Sequence, residues 1–465
     1  MSWGTVSSQV IVPRHPESLT GSPAGSGLLE APASAAALAV AREVGARVAD
    51  PARVAEAVAA AARQTAHPAS VHWRDHAVGQ GHAGLALLFG ALDQHAPGRG
   101  WDRTAHQHLT LAARAAEALP RPPAGLFAGL AGLGLVAASL SGDGTRYRRL
   151  LATVDQALVA RIPALTAAAA RPPGGLAVRE LDLISGLSGV GAYLLLRPEA
   201  PGVAGALRAV LGSLVTLTGS DRSGPRWRTP PDRLSPEERS RYPDGYLNCG
   251  LAHGIPGPLA VLSLALRDGV DLPGLRDAVA RTAAWLAAHR TDDPSGPNWP
   301  NAVPLPGPSG DTAPVPAGRA RAAWCYGGPG VAAALRLAGD ALGPAGTGHH
   351  DLAVAALSAA LTRPVGEGGP GSPTFCHGRA GLLAVTSTFA RATGDDGFRR
   401  AAAGMAAGLL TGFDPAAPLG HRDVETGGRL VDQPGLLTGA PGVALALLGT
   451  TSPAEPTWAR LFLLA

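Results

Sequence analysis

Residues 81–90, GHAGLALLFG, place two glycines three apart and follow them at once with an apolar run. The pattern recurs at Gly129 (GLAGLGLVAA), Gly186 (GLSGVGAYLLL), Gly254 (GIPGPLAVLSLAL), Gly327 (GGPGVAAALRLAG), Gly378 (GRAGLLAVTSTFA) and Gly439 (GAPGVALALLG), seven copies spaced 48 to 73 residues apart. Each interval accommodates two helices and their loops, so the unit reads as a helical hairpin. The runs are apolar nearly all round, the mark of a helix buried on every side. Between them lie amphipathic Ala/Leu/Arg segments such as residues 104–119, 275–289 and 351–361, which read as outer helices. Alternating buried and half-exposed helices predict an all-α fold, an α/α toroid with inner helices ringing an axis and outer helices around them. An open solenoid competes with it, but solenoids need polar end caps, and the last copy runs almost to the C-terminus without one.

The pattern forces no division of the toroid, so residues 34–465 read as one domain. Residues 1–33 are Ser/Pro/Gly-rich and read as a loose N-terminal arm. Two insertions, residues 218–246 and 291–319, are Pro/Gly-rich loops preceding copies four and five, expected to overhang the end of the ring where the inner helices start.

Composition agrees with a large core: of 465 residues, 46% are hydrophobic and only 16% charged. The 62 glycines are about twice the usual share and follow no collagen period, so they serve local backbone geometry. The net charge of +4 is spread along the chain, which argues against a nucleic-acid or membrane-surface protein. Three cysteines make a poor disulfide scaffold and suit a reducing compartment, the cytoplasm by default. No secretory signal opens the chain. The most membrane-like stretch, residues 125–140, is too short for a span of roughly 18 residues.

The repeat supplies a coordinate system, because residues just ahead of each first glycine must converge at one end of the ring. Cys325 and Cys376 both stand two residues before a first glycine, in adjacent copies, and His377 follows Cys376. Two thiolates and an imidazole are a zinc set, one Zn2+ per chain, and three protein ligands leave a fourth position open for catalysis. A substrate thiol there would be activated as thiolate, or a water for hydrolysis. His253, directly before Gly254, is placed to move a proton, and Asp182, four residues before Gly186, to orient it. Arg321 and Tyr326 flank Cys325 and are candidates to stabilise an anionic oxygen. Cys249 leaves a second arrangement open, a closed Cys3His structural site, although it lies out of register with the other two. His82 and the pair His349–His350 carry no assigned role.

With these residues placed, the sequence resembles the lanthionine synthetase C-like family, and within it the stand-alone lanthipeptide cyclases of the nisin cyclase type. The matching segments are residues 182–189 (DLISGLSG), 242–258 (YPDGYLNCGLAHGIPGP), 321–330 (RAAWCYGGPG) and 375–381 (FCHGRAG). The resemblance implies a seven-repeat toroid with zinc on Cys325, Cys376 and His377, proton transfer by His253 and Asp182, and Arg321 and Tyr326 lining the site. It implies an intramolecular Michael addition of peptide Cys thiols to dehydroalanine or dehydrobutyrine, giving lanthionine or methyllanthionine thioether rings. The implied partners are a dehydrated precursor peptide, leader and core, a separate dehydratase and an export transporter, in a cytoplasmic complex peripheral to the membrane. Met1 lies 80 residues before the first repeat, too few for a dehydratase domain. The family type also carries a small β-containing insertion, and no strand-rich block is found by pattern in this sequence. A non-catalytic relative that binds glutathione or a peptide thiol through zinc is the alternative function. An α/α-toroid prenyltransferase or hydrolase is weaker, since its carboxylate signals are missing at the mouth.

Overall fold

The structure is a computed structural model, described here for residues 27–68, 72–142, 144–167, 174–307, 321–364 and 371–465. The seven apolar runs form the inner helices His82–His95, Leu130–Ser139, Leu187–Leu194, Pro256–Arg267, Gly328–Leu342, Arg379–Thr393 and Ala440–Thr451. Each packs on the next, and Ala440–Thr451 packs on His82–His95, which closes the ring. Six outer helices follow their inner partners in the chain: Trp101–Glu117, Arg148–Val159, Val203–Leu217, Leu275–Ala288, Thr347–Leu361 and Asp396–Thr411. The seventh comes from the opposite end of the sequence, because Ala31–Arg47 packs on Ala440–Thr451 and Asp396–Thr411. Residues 1–26 of the expected arm lie outside the described residues, but from Leu28 the chain is already buried, and its N–H donates to Thr450 O at 2.9 Å. The folded part therefore begins ahead of residue 34. Among the described residues no helix is long and apolar enough to cross a membrane.

The loops ahead of the inner helices are sewn into a hoop by their backbones. Gly79 donates to Phe127, Phe127 to Ile184, Leu183 to Ala252, Ala252 to Cys325, Cys325 to Cys376, Cys376 to Leu437 and Leu437 back to Gly79, at 2.8–3.3 Å. Nearly all of these residues stand two before a first glycine, so the hoop is the physical form of the repeat register. It satisfies buried peptide groups that no helix or sheet would pair. The second glycine of each copy is the point where the inner helix passes beneath this hoop. At Gly330 a Cβ would press on Trp324 O and on Leu251 Cβ at 2.9 Å, both immobile. Gly330→Ala is therefore expected to cost about 1–3 kcal/mol, read as a lower urea midpoint.

Below the hoop the axis is filled. The 3-10 turn Thr457–Phe462 brings Trp458 and Phe462 against Phe127, Trp324 and Phe375, and Trp324 Nε1 donates to Phe462 O at 2.9 Å. The residues preceding Cys325 and Cys376 thus anchor a dry aromatic floor.

The insertions are not plain loops. Residues 220–225 and 291–298 form short hairpins, Pro236–Arg241 is a helix, and Tyr246–Asn248 pairs antiparallel with Ala302–Pro304. That last pairing joins the two insertions over the site end of the ring. Strands of two or three residues leave too little alternation to be read from sequence.

His82 also gains a partner. Its Nδ1 lies 2.9 Å from Nδ1 of His108, whose Nε2 lies 3.1 Å from Ala49 O. The carbonyl can only accept, so His108 carries its proton on Nε2 and accepts from His82, a neutral pair tying an inner helix, an outer helix and the segment after Arg47. Burial pushes His108 and His421 down to about 4 from the usual 6.5. Both folded values lie below the unfolded one, so unfolding takes up protons in acid. Their contribution is complete above the unfolded value and is lost as pH falls toward the folded one, up to about 3 kcal/mol for each histidine. Urea midpoints should fall from about pH 7 to about pH 4.5, and His108→Gln should flatten that slope.

Candidate metal and proton-transfer site

The hoop makes Cys325 and Cys376 direct neighbours, as their shared register predicts. Cys325 is buried and Cys376 half-buried. The two thiols act on one another, which pulls Cys325 below its usual range, while the same interaction and burial push Cys376 up. His377 is half-buried beside them, with Nε2 at 3.8 Å from Asp423 Oδ1. Two thiols and an imidazole next to one of them in the chain are the donor chemistry of zinc. Among the described residues no three Cys, His, Asp or Glu side chains already stand as a finished cluster, so the fit rests on donor type and on the adjacency of the two cysteines in the hoop. All three cysteines are free thiols. Cys249 is fully buried, its Sγ set 3.6 Å from Leu247 O, and burial pushes its thiol up to about 12. It behaves as a small core side chain.

On the neighbouring repeats His253 and Asp182 form a couple, with Nδ1 donating to Oδ2 at 2.8 Å. Asp182 is 2% exposed, and its other oxygen accepts from the N–H groups of Ser185 and Gly186 at 2.8 Å each, at the start of Leu187–Leu194. Three N–H donors at a helix N-terminus thus surround this carboxylate and fix its orientation toward His253. About a third of the His253 side chain reaches solvent, 38%. Burial opposes its charge, but the hydrogen bond and charge of Asp182, aided by Cys325 and Glu238, raise His253 above its usual value. A proton held there near neutral pH is available for transfer.

Tyr326 faces this couple, its ring centroid 6.2 Å from that of His253. Its Oη accepts from Asn248 Nδ2 at 3.0 Å, and burial raises its pKa, so the phenol stays neutral with its own proton to donate. Gly250 is required beneath it, since a Cβ would sit 2.6 Å from the ring. Arg321 stands exposed at the rim, where its charge acts on Cys325, Cys376 and His377.

Two participants escaped the sequence reading. Asn248 fixes Tyr326 and turns its own Oδ1 to the Gly250 N–H at 2.9 Å. Its signal was its place just ahead of Cys249 within the matched segment. Glu238, on the insertion helix Pro236–Arg241, accepts from Tyr246 Oη at 3.0 Å and reaches His253 through its charge. Nothing in a Pro-rich insertion marks that carboxylate from sequence.

A closed double ring of helices with paired thiols and a His–Asp couple at one mouth defines the class, an α/α toroid with its chemistry on the loops at the inner-helix N-termini. The sequence profile of the family "Lanthionine synthetase C-like protein" matches residues 72–463. The chain belongs to the lanthionine synthetase C-like family. Among individual proteins it is similar to the "Nisin biosynthesis protein NisC" of Lactococcus lactis subsp. lactis, 26% identical over 272 residues. That alignment covers 57% of this chain and 62% of the relative, so it spans less than two thirds of that protein. Among solved structures the fold matches "Nisin cyclase" with a TM-score of 0.72 at 21% identity, over 84% of this chain and 93% of the other.

Proposed function

We propose that this protein is a zinc-dependent lanthipeptide cyclase, adding precursor-peptide Cys thiols to dehydroalanine or dehydrobutyrine to form thioether rings. The observation that carries the reading is the His253–Asp182 couple, 2.8 Å long, on the same hoop as the thiol pair. A protein that only stored zinc or held a thiol would have no use for it. Cys325, Cys376 and His377 would hold one zinc ion, whose Lewis acidity lowers the pKa of a bound thiol.

The chain's own residues account for the rest. As the peptide sulfur bonds to the β-carbon, negative charge moves to the carbonyl oxygen of the dehydro residue. Arg321 supplies a cation at the rim for it and Tyr326 an O–H donor preset by Asn248. His253 gives its Nε2 proton to the α-carbon, and Asp182 steadies the imidazolium before transfer and the tautomer after it. The neutral imidazole then accepts the proton of the next thiol. One S–H and one C=C become one C–S and one C–H, with no change in mass. The dehydro residues come from a separate dehydratase.

The test is incubation of the purified protein with a dehydrated precursor, followed by thiol alkylation and mass spectrometry. A cyclase removes alkylatable thiols at constant peptide mass. A thiol-binding relative without catalysis leaves them in place. Tyr326→Phe, which keeps the ring but loses the donor, should slow the reaction about 10- to 100-fold while zinc content holds.

A further inference from the structure

We propose that Asp423 is the positioning residue of the metal centre, fixing the His377 imidazole so that Nδ1 is the nitrogen presented for zinc. The inference rests on the zinc reading above and adds a residue that neither the repeat register nor the matched motifs contain. Asp423 comes from the loop ahead of the seventh inner helix, on the short strand Asp423–Val424 that pairs with Leu430–Val431. It is 6% exposed. Its Oδ1 accepts from Ser372 Oγ at 2.7 Å and from Thr374 Oγ1 at 3.4 Å, and the Val424 N–H donates to the same Ser372 hydroxyl at 3.4 Å. Ser372 and Thr374 belong to the loop that carries Cys376 and His377, so the carboxylate is pinned to the segment bearing those two residues.

Two neutral hydroxyls are a thin shell for a buried carboxylate, which calls for a stronger donor. The neighbouring cation, Arg422, is turned to Asp432 at 3.3 Å and Asp414 at 3.7 Å. The imidazole of His377 is what faces Asp423, with Nε2 at 3.8 Å, an electrostatic contact longer than a full hydrogen bond. A carboxylate there favours the N–H on Nε2, which leaves the lone pair on Nδ1, the tautomer able to take a metal. Carboxylates that orient ligating histidines in this way typically govern metal affinity.

The experiment is chelator competition for zinc on the full chain and its Asp423→Asn and Asp423→Ala variants, with the visible spectrum of the Co2+-loaded proteins as second readout. Asp423→Asn retains an oxygen for Ser372 and Thr374 but removes the charge. Both variants should bind zinc about 10- to 100-fold more weakly, with shifted cobalt bands, while far-UV circular dichroism stays native. Asp423→Glu should recover part of the affinity. If the native chain binds zinc and Asp423→Asn binds it as tightly with an unchanged cobalt spectrum, the positioning role is overturned while the zinc reading stands. If the native chain takes up no zinc, the zinc reading itself fails and this inference with it.

Discussion

Cys376→Ala is expected to yield a folded protein with no stoichiometric zinc and thiol consumption at the background rate. The fold should persist because the hoop uses the peptide groups of residue 376, its N–H to Leu437 and its carbonyl to Cys325, and leaves the side chain out. Zinc should be lost because removing one of two thiolates leaves a single sulfur and an imidazole, too few ligands for a tight tetrahedral site. A substrate thiol is then mostly protonated near neutral pH and a poor nucleophile. Metal analysis by mass spectrometry and the alkylation assay check the two halves separately. Cys249→Ala is the control, expected to keep one zinc per chain. Loss of zinc from that variant would point to the closed Cys3His arrangement instead.

His253→Ala should behave in the opposite sense, holding its zinc and losing about 10²- to 10⁴-fold in ring formation. The thiol would still be activated, but neither the enolate proton nor a base for the next thiol would be at hand. Asp182→Asn tests the same step without removing the imidazole. The amide can still accept from Ser185 and Gly186 through one oxygen, but its NH2 would face His253 Nδ1 and force the proton onto Nε2. Since His253 is raised above its usual value, the native rate should fall on the alkaline side as that proton is lost. The Asp182→Asn profile should move that fall to lower pH. A profile unchanged by the substitution would remove Asp182 from the proton path.

Much of this site could be read from the repeat, for a definite physical reason. The residue two before each first glycine lies in the hoop, so equal register in sequence becomes direct contact, as Cys325 and Cys376 show. Asp182 and His253, four and one residues before their first glycines, flank the hoop residues Leu183 and Ala252 and so reach the same mouth. What register cannot reveal is contact made by insertions or by residues far ahead of a first glycine. Glu238 enters from a helix folded over the mouth, and Asp423 reaches His377 from a loop 46 residues further along the chain. The same limit hid the seventh outer helix, since Ala31–Arg47 meets its inner partner only when the ends of the chain come together. His82 looked idle because its partner His108 sits on an outer helix, where the glycine pattern carries no information.

On the proposed reading, two sulfurs and one imidazole hold a zinc whose remaining position receives the substrate thiol. Zinc K-edge X-ray absorption, recorded with and without a dehydrated precursor peptide, counts the sulfur neighbours directly. Two sulfurs are expected in the protein alone, from Cys325 and Cys376, and three once the peptide binds. Three sulfurs before any peptide is added, or two that never change, would contradict that reading.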